Sequence, residues 1–183
     1  MRRDRVGKRY KLLIKLINKR GYTIGAEIGC AKGNTTYRLL KYCPKLRLYA
    51  VDLWGIVPDE IGGGSMYRDW NFRKIKNTFD KVTHPYKRRL TILQGVSWQM
   101  AKKVSDNSLD FIFIDADHEY ESVKKDIRAW TPKLKKGGML SGHDYDFPDV
   151  ERALNELIPN WIASGIDDVW LAKKEDLIIN NNG

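Results

Sequence analysis

Apolar residues recur along the chain in two rhythms that take turns. Tyr10, Leu13, Ile14 and Ile17 repeat at three- to four-residue spacing, with Arg9, Lys11, Lys15 and Lys19 between them. That spacing predicts an amphipathic helix ending near Gly21. Thr23 to Ile28 is a short β-prone run that breaks at Gly29, and Asn34 to Tyr42 then reads as a helix. Leu46 to Leu53 is a second strand-like run, closed by Asp52. Tyr67, Trp70, Ile75, Phe79 and Val82 mark a less regular helix, followed by a strand at Leu90 to Leu93 and a short helix at Trp98 to Val104. The clearest strand is Leu109 to Ile114, which runs into Asp115. A helix from Tyr120 to about Leu134 follows, broken by Gly137 and Gly138, and then a strand from Met139 to Gly142. Val150 to Leu157 is a helix closed by Pro159, and Trp161 to Ile166 with Val169 to Lys173 form a closing strand pair.

The order is one helix, strand and helix repeated through five strands, and two final strands. Alternation of this kind predicts an α/β fold, a mostly parallel sheet with helices on both faces. Residues 1–183 fit one domain, with a basic helix over residues 1–20. Residues 54–66 contain Pro58 and Gly62-Gly63-Gly64 and read as a mobile lid loop, walled by Trp54, Tyr67 and Trp70. Trp98 and Trp130 are expected in the core. No stretch approaches 18 apolar residues, so no membrane-spanning helix is expected. The basic segment Met1 to Lys11 lacks the apolar run of a secretory signal, and two cysteines, Cys30 and Cys43, cannot build a disulfide framework. A reducing, cytoplasmic setting is the expectation.

In a sheet of this type ligands bind beyond the carboxyl ends of the strands, so chemistry is sought there. The first strand ends in Glu27-Ile28-Gly29-Cys30-Ala31-Lys32-Gly33, where two glycines permit a sharp turn ahead of a helix N-terminus. The spacing is neither G-x-G-x-x-G nor a P-loop. Glu27, two residues before the first loop glycine, suits a ligand carrying a cation, and Asp52 is placed to accept hydrogen bonds from ribose hydroxyls. Asp115, Asp117 and His118 follow the fourth strand, and His143 and Asp144 follow the fifth. Ends of adjacent strands, about 4.8 Å apart, can converge on one point. Carboxylates with an imidazole suit a divalent cation such as Mg²⁺ or Mn²⁺; a hydrogen-bonded cluster without an ion is the alternative.

These pieces together resemble the class I S-adenosylmethionine-dependent methyltransferases, and more closely methyltransferase domain family 24. The resemblance is carried by Ala26 to Gly33, Ala50 to Trp54, Phe113 to Tyr120, Pro132 to Gly138 and Ser141 to Tyr145, in order, over roughly residues 20–175. It implies a Rossmann-like sheet of seven strands whose last two make an antiparallel edge. It also implies S-adenosyl-L-methionine as cofactor, with Gly29 and Gly33 near the methionine part, Asp52 and Leu53 at the ribose, and Gly95, Val96 and Ser97 near the adenine, Asp115 closing the site. Glu27 is read as balancing the sulfonium charge. Related metal-dependent O-methyltransferases imply Asp115 and Asp144 as metal ligands, with His143 as third. Two alignments differ on the catalytic base, giving His118 by one and Asp117 by the other.

Charge is distributed unevenly. Residues 1–89 hold 22 Lys and Arg against 7 Asp and Glu, whereas residues 90–183 hold 11 against 16. The net charge of +10 therefore combines a basic flank with an acidic set of strand ends. The expected function is transfer of a methyl group to an oxygen of a small molecule. An RNA acceptor, motivated by the basic half, and a cofactor-binding module without activity are the alternatives.

Overall fold

The computed structural model describes residues 8–56 and 70–178. Its seven strands form one sheet in the order β3-β2-β1-β4-β5-β7-β6. These are β1 (Ile24–Ile28), β2 (Arg47–Asp52), β3 (Leu90–Gln94), β4 (Leu109–Ile114), β5 (Leu134–Gly142), β6 (Ile162–Ala163) and β7 (Trp170–Lys173). The first five are parallel, and β7 runs antiparallel to both β5 and β6. The Rossmann-like architecture with an antiparallel edge is thus the one implied by the sequence. Among the described residues no helix is long and apolar enough to cross a membrane.

Alternation along the strands sorts the helices onto two faces. Leu48, Phe111 and Phe113 cluster with Leu13 and Ile17 of α1 (Arg9–Arg20) and Leu39 and Leu40 of α2 (Asn34–Tyr42). Ala50 points the same way and packs with Ile75 and Phe79 of α3 (Phe72–Thr83). The intervening residues Ala26, Ile28, Val51, Ile112 and Ile114 face the other side. There they meet α5 (Tyr120–Trp130) and α6 (Pro148–Leu157), beyond the short α4 (Ser97–Met100). Strand periodicity of two and helix periodicity near 3.6 therefore supply both apolar layers.

Local chemistry sets the ends of the elements. α1 stops at Gly21 in the left-handed region (φ 66°), where Tyr22 N–H reaches Ile17 O at 3.0 Å. α3 starts at Phe72, past Trp70, because Asn71 caps it by accepting from Lys74 N–H at 2.9 Å. Tyr67 lies outside the described residues. α5 ends at Trp130, short of Leu134, since Pro132 has no N–H to continue the ladder. A 3-10 turn over Thr131–Lys133 follows, and β5 opens at Leu134, five residues before the expected Met139. The lid segment is described only as far as Ile56. Its first residue, Trp54, is fixed: it is 6% exposed, packs on Phe79 at 4.7 Å and donates its indole N–H to Ala31 O at 2.9 Å. Trp130 is fully buried as expected, whereas Trp98 is only half-buried and belongs to a cavity wall.

Parallel pairing sets Ile28 beside Val51 and Ile114, so β1, β2 and β4 end level with one another. At that level the chain after β1 crosses the end of β4. A Cβ on Gly29 would lie 2.0 Å from the carbonyl oxygen of Asp115, and its φ is 88°. Neither condition tolerates a side chain. Gly29→Ala should lower stability by about 3 kcal/mol or more. In a domain of this size that is a drop in Tm on the order of 10 °C. A thermal melt measures it, and an unchanged Tm would contradict this packing.

Candidate active site

The residues singled out from the sequence gather where β1, β2, β4 and β5 end. Asp52 organises the loop after β1. Its Oδ2 accepts from Cys30 N–H at 2.9 Å and Ala31 N–H at 2.8 Å, and its Oδ1 from Trp54 N–H at 2.7 Å. These charge-assisted bonds hold Ala31 and Trp54, both at φ 43°, in a conformation non-glycine residues seldom adopt. Asp52 thus has a structural task, and it also lines a cavity of about 160 Å³ with Leu53, Val96, Ser97, Trp98 and Asp117. Ser97 donates to the buried carboxyl of Asp126, which burial pushes up to about 7. A Cβ on Gly95 would meet Met100 at 2.8 Å, and one on Gly33 would meet Phe79 at 2.8 Å. Their missing side chains make room for packing, and neither lines the cavity.

A second cavity of about 310 Å³ adjoins the first and shares Gly29, Ala31, Trp70 and Asp115 with it. Its own walls are polar and include Glu27, Arg9, Lys32, Asn34 and Thr35. Glu27 is 2% exposed and accepts from the hydroxyl of Thr36 on α2 at 2.6 Å. Burial pushes its carboxyl up to about 8 despite that hydrogen bond, with Asp115 adding to the effect. Arg9 opposes this in part, yet burial keeps the protonated form of Glu27 favoured at neutral pH.

Asp115 lies between both cavities and a group of imidazoles. Arg9, from the first turn of α1, donates to its Oδ2 at 2.7 Å, while Arg9 N–H donates to Asp167 Oδ2 at 3.1 Å. His118 Nε2 and Asp144 Oδ2 are 2.7 Å apart, and His118 stacks on Phe147. His143 Nδ1 approaches Asp144 Oδ1 at 2.8 Å and Asp115 Oδ1 at 3.7 Å. The Nδ1 contact with Asp144 is a close ion-pair approach without hydrogen-bond alignment, and neither His143 Nε2 nor Arg9 Nε has a hydrogen-bond partner among the described residues. Burial raises the carboxyl of Asp115, and Arg9 and His143 oppose it in part. Burial would raise Asp144 too, but its two imidazole neighbours outweigh that and hold it well below the usual carboxylate range. Burial pulls both histidines down, yet Asp144 and Asp115 more than compensate, so both titrate above their ordinary value.

The donor set suits a divalent cation. Asp115, His118 and Asp144 each offer a ligand atom, all within 4.8 Å of one another. The third member of that group is His118, where sequence reasoning placed His143; His143 stands against the same carboxylates from one side. Asp117 does line the cavity, and its Oδ1 accepts from His118 N–H at 2.8 Å. Arg9 was missed. It reads as one more cation on a basic helix, and only the docking of α1 brings it to the end of β4.

This is the strand-end cleft of a doubly wound α/β domain, the place where ligands bind in folds of this type. The profile of the methyltransferase domain family matches residues 26–145, and the chain belongs to that family. The chain is also 36% identical over 56 residues to the uncharacterised protein R132 of Acanthamoeba polyphaga mimivirus. That match spans 28% of this chain and a quarter of the relative. Among solved structures, the O-methyltransferase NovP superposes with a TM-score of 0.65 at 16% identity, covering 90% of this chain and 77% of that one. The O-methyltransferase TomG from Streptomyces achromogenes, solved with its S-adenosylmethionine, gives 0.63 at 14%, covering 90% and 78%.

The raised Glu27 carboxyl sets a pH dependence. The folded chain keeps this proton up to about pH 8, whereas the unfolded chain loses it near 4.5. Between those values the folded state binds more protons, so stability falls as pH rises. Glu27→Gln should remove that slope. It should raise Tm by several degrees at pH 9 and change it little at pH 5, in melts across this range.

Proposed function

We propose that the protein transfers the methyl group of S-adenosylmethionine to an oxygen of a small molecule, with a divalent cation assisting. The observation that carries this reading is the pair of cavities meeting at Asp115. One is walled by Leu53, Val96 and Trp98 and suits a nucleoside; the other is polar, with Glu27, Asn34 and Thr35, and suits a zwitterionic amino acid. A donor made of those two parts, joined by a sulfonium, would span the seam.

Each residue then has a task. Asp52 holds the loop and keeps Oδ1 within reach of a ribose hydroxyl. Glu27 gives up its proton when the cationic donor arrives, since a neighbouring positive charge favours the carboxylate. Asp115, His118 and Asp144 would hold the cation, which lowers the pKa of a bound hydroxyl. Asp117 takes the acceptor's proton, because it lines the cavity, whereas His118 turns to Asp144. Arg9 supplies the positive charge that faces Asp115 when no metal does.

Titration calorimetry with S-adenosylhomocysteine tests the donor site, and no binding would end this reading. Transfer of a tritiated methyl group to phenol, catechol and sugar acceptors tests the chemistry. Asp115→Ala should reduce it at least a hundredfold, a loss of about 2.7 kcal/mol of barrier lowering. Asp117→Asn should lower kcat while leaving donor binding intact. Arg9→Met should tighten Mn²⁺ binding about tenfold, because it removes the competing charge from Asp115. An unchanged Mn²⁺ affinity would show that the guanidinium and the metal do not compete.

A further inference from the structure

We propose that the face formed by α1, α2 and the 3-10 turn His84–Arg89 binds single-stranded nucleic acid. The proposal concerns binding at a surface separate from the cavities and does not rest on the identity of the methyl acceptor. Residues 8–23, 34–47 and 84–89 contain thirteen Lys and Arg and no Asp or Glu. Ten of these are exposed: Lys8, Lys11, Lys15, Lys19 and Arg20 along α1 and its two ends, Lys41, Lys45 and Arg47 on and after α2, and Lys87 and Arg88 in the turn. Among the described residues none of the ten makes an ion pair with a carboxylate, whereas Lys124, Lys133 and Lys135 elsewhere all do.

The three elements are locked into one surface. Arg38 of α2 sits over the Tyr10 ring of α1, 4.4 Å from its centroid. Arg89 donates to Leu40 O, Cys43 O and Leu46 O, which fixes the turn beneath the end of α2. Both helices start at the cleft, α1 with Arg9 at Asp115 and α2 just after Gly33, and run away from it. The basic track therefore extends from the cleft for about 18 Å, the length of twelve helical residues.

Aromatic rings are interleaved with the charges. Tyr37 and Tyr86 pack edge to face at 5.9 Å, and Lys41 lies 5.4 Å from the ring centroids of both Tyr37 and Tyr42. Tyr42 is 51% exposed and presents an open ring beside Lys41 and Lys45. Cations that follow a phosphate backbone, with rings on which bases stack, make a sequence-tolerant single-strand site. A lipid surface is less well served. Tyr42 is the one exposed large apolar side chain on this face, so it lacks the buried apolar stripe that anchors a helix in a membrane.

Fluorescence anisotropy with labelled twelve-nucleotide oligo(U), oligo(dT) and a heparin fragment tests this, alongside flotation with phosphatidylserine vesicles. Binding of the oligonucleotides should weaken steeply with salt; four phosphate contacts give a log–log slope of about −3. The Lys15→Glu/Lys41→Glu/Lys45→Glu variant should bind them at least tenfold more weakly, with S-adenosylhomocysteine calorimetry and Tm unchanged. Tyr42→Ala should weaken oligonucleotide binding roughly fivefold and leave heparin binding unaltered. Failure to bind at 50 mM salt, binding indifferent to charge reversal, or vesicle binding without oligonucleotide binding would each overturn the proposal. So would a Tyr42→Ala variant that affects neither polyanion, since the face would then lack base contacts.

Discussion

Everything at the cleft depends on how closely the chain leaving β1 can approach the end of β4. With no Cβ at Gly29, the backbone passes directly over the Asp115 carbonyl, and Ile28, Val51 and Ile114 finish in line. The Asp52 carboxylate then holds that loop from the β2 side through the N–H groups of Cys30 and Ala31, and its other oxygen fixes Trp54 N–H on its own segment. Steric permission and electrostatic anchoring act on the same few residues. A loop so constrained presents Glu27, Ala31 and Asp115 to two adjoining cavities with little freedom left to lose on binding.

Much of the fold was legible because its signals are local. The helix at Asn34–Tyr42 and the strand at Leu109–Ile114 have the bounds their periodicity and flanking residues predict. Where boundaries moved, a single residue explains it: Asn71 delays α3 by capping it, and Pro132 stops α5 early. The strand-end residues were legible as a set, since parallel strands bring Asp52, Asp115 and Asp144 to one end of the sheet. Their individual partners were not. Gly33 and Gly95 face Phe79 and Met100, and Trp98 lines a cavity, because these depend on which way a backbone turns after its strand. Arg9 was illegible for a stronger reason: 106 residues separate it from Asp115.

The same structure gives the charge asymmetry a spatial form. The basic helices α1 and α2 cover one side of the sheet, and the more acidic α5 and α6 cover the other, with the titrating cluster at the rim between them. Arg9 is where the two meet, a cation from the basic side set into the acidic cluster. Salt screens exposed charges at a distance and affects close, half-buried pairs much less. Ionic strength should therefore act mainly on the basic face and leave the Arg9–Asp115 pair in place.

Arg9 also has a bearing on how the domain assembles. Its side chain reaches Asp115, and its backbone N–H reaches Asp167, 158 residues away in the turn before β7. One residue near the start of the chain thus ties the middle of the sheet to its last hairpin. Contacts of such long sequence separation raise the contact order of the fold, which slows folding. Docking of α1 therefore does two things at once, covering one apolar face of the sheet and setting a positive charge at the end of β4.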